Sequence, residues 1–234
     1  MKHLRLVSLL IFFFQLLTVI VRPQDEPRAA WQVLRYEINA TLPSATAAER
    51  TLAARAVLSL RNIGQGAGRT LTTRINPAVE VISVSVGEQP ARFLMRDESR
   101  TRLRTAIITL PAAIAPGQTM SAAIEYKLLV TENTGTAAVS VEGSQFLPLA
   151  SWYPTPNSPF SPRGTDTAPV LLKVNAPGGE TVISSGQMSA NGTFEQKLFA
   201  QPFFLTGKWE TIEGAGDTRG VSAYLLNGAT LGEK

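Results

Sequence analysis

Apolar and polar residues alternate along most of this chain. In VLRYEINATL, Leu34, Tyr36, Ile38, Ala40 and Leu42 occupy every second position with polar residues mostly between them, the period of a strand that buries one face. TAAERTLAARAVLSLRN is rich in the helix formers Ala, Leu, Arg and Glu, yet Leu52, Ala54, Ala56, Leu58 and Leu60 alternate in the same way. Ser, Arg and Thr fill the intervening places and the neighbouring segments have period two, so the spacing predicts a strand here as well. RTLTTRI, VEVISVSV, ARFLMR and TRLRTAIITL follow, short and rich in β-branched residues. Pro111, Pro116 and Gly117 are expected to form a turn, after which Met120, Ala122, Ile124 and Tyr126 resume the alternation. APVLLKVNAP, TVISS, TFEQKLF, FFLTGKWETI and VSAYLL continue the series. About a dozen short strands with turns every 8–12 residues or so predict an all-β sandwich with antiparallel sheets.

The N-terminus departs from this pattern. Lys2 and Arg5 precede an apolar run from Leu6 to Val21, interrupted only by Ser8, Gln15 and Thr18. At 16 residues it is shorter than the roughly 20 needed to span a bilayer, so residues 1–24 read as a helical export signal, with a retained membrane anchor over residues 6–21 as the alternative. Either way the domain beyond is expected outside the cytoplasm: secreted, periplasmic or extracellular. The membrane is expected to be touched only through this segment.

Removing the leader changes the charge balance. The whole chain carries 22 basic and 18 acidic side chains, but Lys2, Arg5 and Arg22 lie in the leader with no acid, leaving 19 against 18. The one local excess, RFLMRDESRTRLR, has five arginines from Arg92 to Arg104 with only Phe93 interleaved. That is the composition of a solvated hairpin edge, and no nucleic-acid partner is expected.

The candidate chemistry is bounded by what is missing. Cysteine is absent and the single histidine is His3, inside the leader. The mature chain therefore has no thiol nucleophile and no imidazole to act as general base or metal ligand, which excludes a Ser-His-Asp triad and a His-Glu-x-x-His zinc site. No catalytic residue and no metal ligand is assigned. Two carboxylates could still perform glycoside hydrolysis, but no pair stands out from the acids scattered through polar turns.

The order of the segments carries a resemblance. Tyr36 in the first strand comes first, followed by Leu110-Pro111 with Gly117 and Tyr126. Pro177-Gly178 with Ser184-Ser185-Gly186, and Phe203-Phe204 with Gly207, complete the series. Together they resemble the N-terminal domain of the aminopeptidase N family of zinc metallopeptidases, over residues 33 to about 227. The resemblance implies a saddle-shaped β-sandwich that packs on a thermolysin-like catalytic domain. On it, residues 1–24 are leader or anchor, 25–32 a linker, 33–227 the sandwich and 228–234 the start of a second linker. The family's zinc-binding helix, substrate-anchoring strand and further glutamate would follow this domain. The expected partners are therefore a catalytic domain in a longer parent chain and that parent's peptide substrate, with zinc as a cofactor of the catalytic domain and none in this chain.

FLPLASWYPTPNSPF, residues 146–160, has four prolines among fifteen residues beside Trp152 and Tyr153. In the family the corresponding segment is a rigid crossing near the active-site face, which implies that Trp152, Tyr153, Pro154 and Pro156 form an interdomain or cleft surface. The plain alternative is a proline-rich corner between sheets with the aromatics in the core. Nine residues before Pro154 stands Gln145, where the family often has a Gln or Glu that helps bind the substrate's free amine. The resemblance implies a substrate contact there, made by an amide oxygen that is a weaker partner for a cation than a carboxylate. The family's Ala-Arg before the aromatic and the acids after the first proline are replaced by Ala150-Ser151 and Asn157-Ser158. Two functions stay open. One is a non-catalytic domain of an exported zinc peptidase; the other is a stand-alone β-sandwich used for binding or scaffolding.

Overall fold

The computed structural model describes residues 28–44, 50–156, 168–197, 201–213 and 222–226. Expectations for the leader helix and for the chain after Leu226 lie outside them. Seventeen strands occur among the described residues. The first eight are β1 (Trp31–Thr41), β2 (Thr51–Asn62), β3 (Gly68–Ile75), β4 (Val79–Val86), β5 (Gln89–Pro90), β6 (Phe93–Glu98), β7 (Leu103–Ile114) and β8 (Thr119–Leu129). They are followed by β9 (Ala137–Val139), β10 (Gly143–Phe146), β11 (Val170–Asn175), β12 (Thr181–Ser184) and β13 (Gln187–Met188). The last four are β14 (Thr193–Gln196), β15 (Phe204–Gly207), β16 (Trp209–Glu213) and β17 (Ser222–Leu226).

Eight strands form one sheet in the order β13-β14-β11-β1-β2-β8-β4-β5, three form β3-β7-β6, four form β12-β15-β10-β9, and β16 pairs with β17. A single apolar core joins the three larger sheets, with Ile38, Leu58 and Ile124 from the first, Leu71 and Ile108 from the second, and Phe146 and Phe204 from the third. The sandwich-like all-β architecture agrees with the alternation in the sequence. One part does not: the large sheet is mixed, because β1 and β11 run parallel, Tyr36 facing Val170 through Thr41 facing Asn175. Hairpin neighbours are forced to be antiparallel, whereas β11 reaches β1 by a long crossover that leaves its direction free.

The Ala-rich segment is strand β2, with Leu52, Ala56, Leu58 and Leu60 fully buried between β1 and β8. In β1 the alternation breaks once. A register shift between Val33 and Arg35 leaves Leu34 at the surface and makes Trp31 and Val33 the buried residues ahead of Tyr36. A bulge inserts one residue and so reverses the face of everything before it. Ile82 is expelled in the same way by the shift between Val81 and Ser83 in β4. Pro111 does not begin a turn, since β7 continues through it to Ile114. It lies in the stretch where the register with β3 slips, between Thr109 facing Thr70 and Ile114 facing Gly68, so no ladder hydrogen bond is asked of it. The chain reverses instead at Ala115–Gln118, with Gly117 at φ 80°.

The arginine-rich segment is the β6–β7 hairpin at the edge of the three-stranded sheet. Arg74 Nε meets Glu98 Oε2 at 2.9 Å and Arg104 Nε meets Asp97 Oδ1 at 3.1 Å, while Arg92, Arg96, Arg100 and Arg102 are exposed. Asn62 closes the far end of the core. Fully buried, it donates through Nδ2 to Gly66 O (2.8 Å) and Ile114 O (2.9 Å), and accepts at Oδ1 from Ala30 N (3.2 Å) and Gly64 N (3.0 Å).

Candidate functional site

The crossing from Leu147 to Pro156 is held at both ends by backbone and side-chain contacts. A single 3-10 turn, Pro148–Ala150, ends at Ser151 in the left-handed region (φ 50°). Asn76 then fixes the bend, donating from its backbone N to Ser151 O (2.9 Å) and from Nδ2 to Ala150 O (2.8 Å). Thr155 and Arg74 exchange both backbone hydrogen bonds, at 2.7 and 2.9 Å. With φ preset at the prolines, such a segment loses little further freedom on folding.

Trp152, Tyr153, Pro154 and Pro156 are all buried. The two aromatics belong to a chain of ring contacts: Tyr36 meets Tyr153 edge-on at 5.5 Å, Tyr153 meets Trp152 at 5.1 Å, and Trp152 meets Phe204 at 5.2 Å. Phe204 in turn stacks on Phe146 at 5.1 Å, and Trp152 Nε1 donates to Pro202 O at 3.4 Å. Burial, and then the neighbouring Tyr153, push the Tyr126 phenol far above its ordinary value. These side chains tie β1, the crossing, β10 and β15 together from the inside. The exposed member of the crossing is Leu149, 83% accessible.

The crossing thereby positions β10, and β10 carries Gln145. In the four-stranded sheet Gln145 faces Leu205 on one side and Ala138 on the other, whereas Phe146 and Phe204 belong to the core-facing set. Gln145, Leu205 and Ala138 therefore share the outer face. There they line an open hollow of about 240 Å³ together with Ser140, Glu142, Gly143, Ser144, Thr206 and Trp209. Gln145 Nε2 donates one of its two protons to Thr134 O at 3.3 Å, which turns that end of the amide toward Thr134. Its Oε1 is left as the end able to accept a hydrogen bond.

Two glycines make room for this arrangement. A Cβ on Gly143 would come within 2.1 Å of Thr206 O, so β10 and β15 approach as they do only with glycine there. A Cβ on Gly207 would lie 3.0 Å from Trp209 Cε2 and 3.1 Å from Glu142 O, so the indole and the Glu142 backbone close over the same point. The Glu142 side chain is exposed; Ser140 beside it, and then its own backbone, hold its carboxyl below the usual carboxylate range, while the Ser140 hydroxyl donates to Gly143 O at 2.9 Å. The hollow thus presents one ionised carboxylate, one amide oxygen and one indole, with neither arginine nor lysine among its lining residues.

Glu142 and Trp209 are not evident from sequence. Nothing local marks them, because they meet only through the β10–β15 register. The close spacing of Gly143 with Gln145, and of Gly207 with Trp209, is the trace that register leaves in the sequence.

The described residues make no zinc site. Among the described residues no group of three or more His, Cys, Asp or Glu could hold a metal ion, and the sequence contains no cysteine and only His3. Among the described residues no helix is long and apolar enough to cross a membrane, and residues 6–21 lie outside them.

No protein-family model matches the sequence, and no curated protein matches it. Solved structures do. An M1 zinc metallopeptidase from Deinococcus radiodurans superposes with a TM-score of 0.61 over 85% of this chain and 47% of its own, at 16% identity. A mutant of it bound to a Tyr-Ser-Ala substrate matches with a TM-score of 0.60 over 83% of this chain and 46% of its own, at 16% identity. Native leukotriene A4 hydrolase from Saccharomyces cerevisiae matches with a TM-score of 0.61 over 80% of this chain and 31% of its own, at 12% identity. This chain spans just under half the length of the metallopeptidases and about a third of the hydrolase. The likeness establishes a shared fold: the β-sandwich described above is one that M1 zinc metallopeptidases contain.

Proposed function

We propose that this chain is the non-catalytic N-terminal domain of an exported aminopeptidase N-like zinc metallopeptidase, in which it shapes the substrate cleft and docks on a catalytic domain of the same parent. The observation that carries the reading is the fold shared with M1 zinc metallopeptidases over 85% of this chain but 47% of theirs, with Gln145 on the rim of an open hollow. Gln145 Oε1 accepts a hydrogen bond from the N-terminal ammonium of a peptide. The crossing holds β10 and the exposed Leu149 rigidly in place, and meets the catalytic domain through that outward side, while Trp152, Tyr153, Pro154 and Pro156 brace it from within. Zinc, the general base and transition-state stabilisation come from the catalytic domain. Residues 1–24 direct the domain out of the cytoplasm, residues 25–32 link them to the sandwich of residues 33–227, and residues 228–234 begin the link onward.

The experiment is to read the coding frame onward from Lys234 and to assay the full-length protein on an aminoacyl reporter. An in-frame His-Glu-x-x-His with a further Glu, and a Gln145→Ala variant whose KM rises several-fold while its melting temperature stays unchanged, support the reading. A frame without that motif supports a binding or scaffold module instead.

A further inference from the structure

We infer that the hollow on the four-stranded sheet is a subsite for a guanidinium or alkylammonium group, held between the Glu142 carboxylate and the face of the Trp209 indole. The inference rests on the peptide-binding reading above for its natural ligand, a peptide carrying a basic side chain close to its N-terminus. The site itself is a property of this chain alone.

Charge selects the class of ligand. Glu142 is the single charged residue lining the hollow, and Lys208, though next to Trp209 in sequence, is exposed and not part of the lining. An anionic group would meet only repulsion there, and a neutral one would gain nothing from the carboxylate's charge. Ser140, and then the backbone of Glu142 itself, hold the Glu142 carboxyl below its ordinary value.

The ring selects further. Trp209 Nε1 is buried without an acceptor among the described residues, so what the indole offers a ligand is its π face and not its N–H. A cation over an indole face is attracted by the ring quadrupole, and tryptophan is the strongest of the aromatic partners. The absence of a Cβ on Gly207 lets the ring lie against β15 next to the Glu142 backbone carbonyl, so the residue that carries the carboxylate and the ring both line the hollow. A guanidinium suits both at once, since its plane stacks on the ring while its edge donates to the carboxylate. At about 240 Å³ the hollow has room for that group and part of its stem, given that a water molecule takes about 30 Å³.

The test uses the purified, 15N-labelled chain and follows its indole N–H resonances, with that of Trp209 identified by its loss in Trp209→Phe. Ethylguanidinium should shift the Trp209 resonance saturably, and the neutral isostere ethylurea should not. Glu142→Gln, at an exposed side chain that the fold does not need, should weaken ethylguanidinium binding about tenfold, the loss of one charge-assisted partner. Leucinamide, which has an α-amine but no basic side chain, separates this site from the Gln145 contact: its response should vanish in Gln145→Ala while that of ethylguanidinium persists. An ethylguanidinium response that is linear and unsaturable, equal for ethylurea, or indifferent to Glu142→Gln overturns the assignment. A leucinamide response that is absent from the parent chain, or that persists in Gln145→Ala, would instead count against the amine contact at Gln145 and leave the cation subsite standing.

Discussion

Trp152 and Leu149 stand three residues apart in one proline-rich crossing, and the structure gives them opposite roles. Trp152 is fully buried, with Tyr153 and Phe204 packed edge-on at 5.1 and 5.2 Å, whereas Leu149 is 83% exposed. Replacing a buried Trp by Ala removes the transfer energy of the ring and leaves a cavity, about 3–5 kcal/mol in proteins generally. Two edge-to-face pairs are lost as well, at roughly 0.5–1.5 kcal/mol each beyond area burial, which places Trp152→Ala in the upper part of that range, about 4–5 kcal/mol. Leu149→Ala creates no cavity and should stay within about 0.5 kcal/mol of the parent. Urea unfolding followed by far-UV circular dichroism measures both without relying on tryptophan emission. With a slope near 3 kcal/mol per M for a chain of this size, the Trp152→Ala midpoint should fall by roughly 1.3–1.7 M and the Leu149→Ala midpoint should hardly move. A Trp152→Ala cost below about 1 kcal/mol, or equal costs for the two variants, would refute the assignment of the aromatics to the core.

Two further outcomes follow from the same reasoning. Asn62→Ala strips two backbone donors and two backbone acceptors of their shared partner in a buried corner, so a loss of about 3 kcal/mol is expected in the urea midpoint, with Asn62→Asp recovering only the Oδ1 half. Hydrogen bonds from Arg74 and then Thr101 lower the Glu98 carboxyl below its ordinary value. A carboxylate whose folded value is depressed contributes stability that is present above its unfolded value and disappears as pH falls through the folded one. The stability difference between the parent and Glu98→Gln, about 0.5–1 kcal/mol at neutral pH for a partly exposed pair, should therefore shrink to zero on acidification in urea melts taken across the acid range.

The fold was legible where local chemistry decides it. Alternation of Leu52, Ala54, Ala56, Leu58 and Leu60 outweighed the helix-forming composition of β2, because in a sheet the burial of one face dominates intrinsic propensity. The bulges at Leu34 and Ile82 were not legible, since one inserted residue leaves no mark in composition yet reverses the face of its neighbours. Nor was the parallel pairing of β1 with β11, whose direction is set by a crossover and not by either strand. At the site, Gln145 could be singled out because family resemblance points to that position, and it lies on the hollow. Trp152 and Tyr153 look alike in sequence as surface anchors or core, and only tertiary packing separates the two. Glu142, just before β10, and Trp209, at the start of β16, become neighbours through the register of Gly143 with Gly207.

The central claim is that this polypeptide supplies architecture and substrate contacts while metal and catalysis reside elsewhere in a parent enzyme. Elemental analysis of the purified 234-residue chain, dialysed against zinc and then against buffer, tests it most directly. The account predicts no stoichiometric zinc, because no imidazole or thiolate is present beyond His3 to retain it. One tightly held zinc per chain would contradict it.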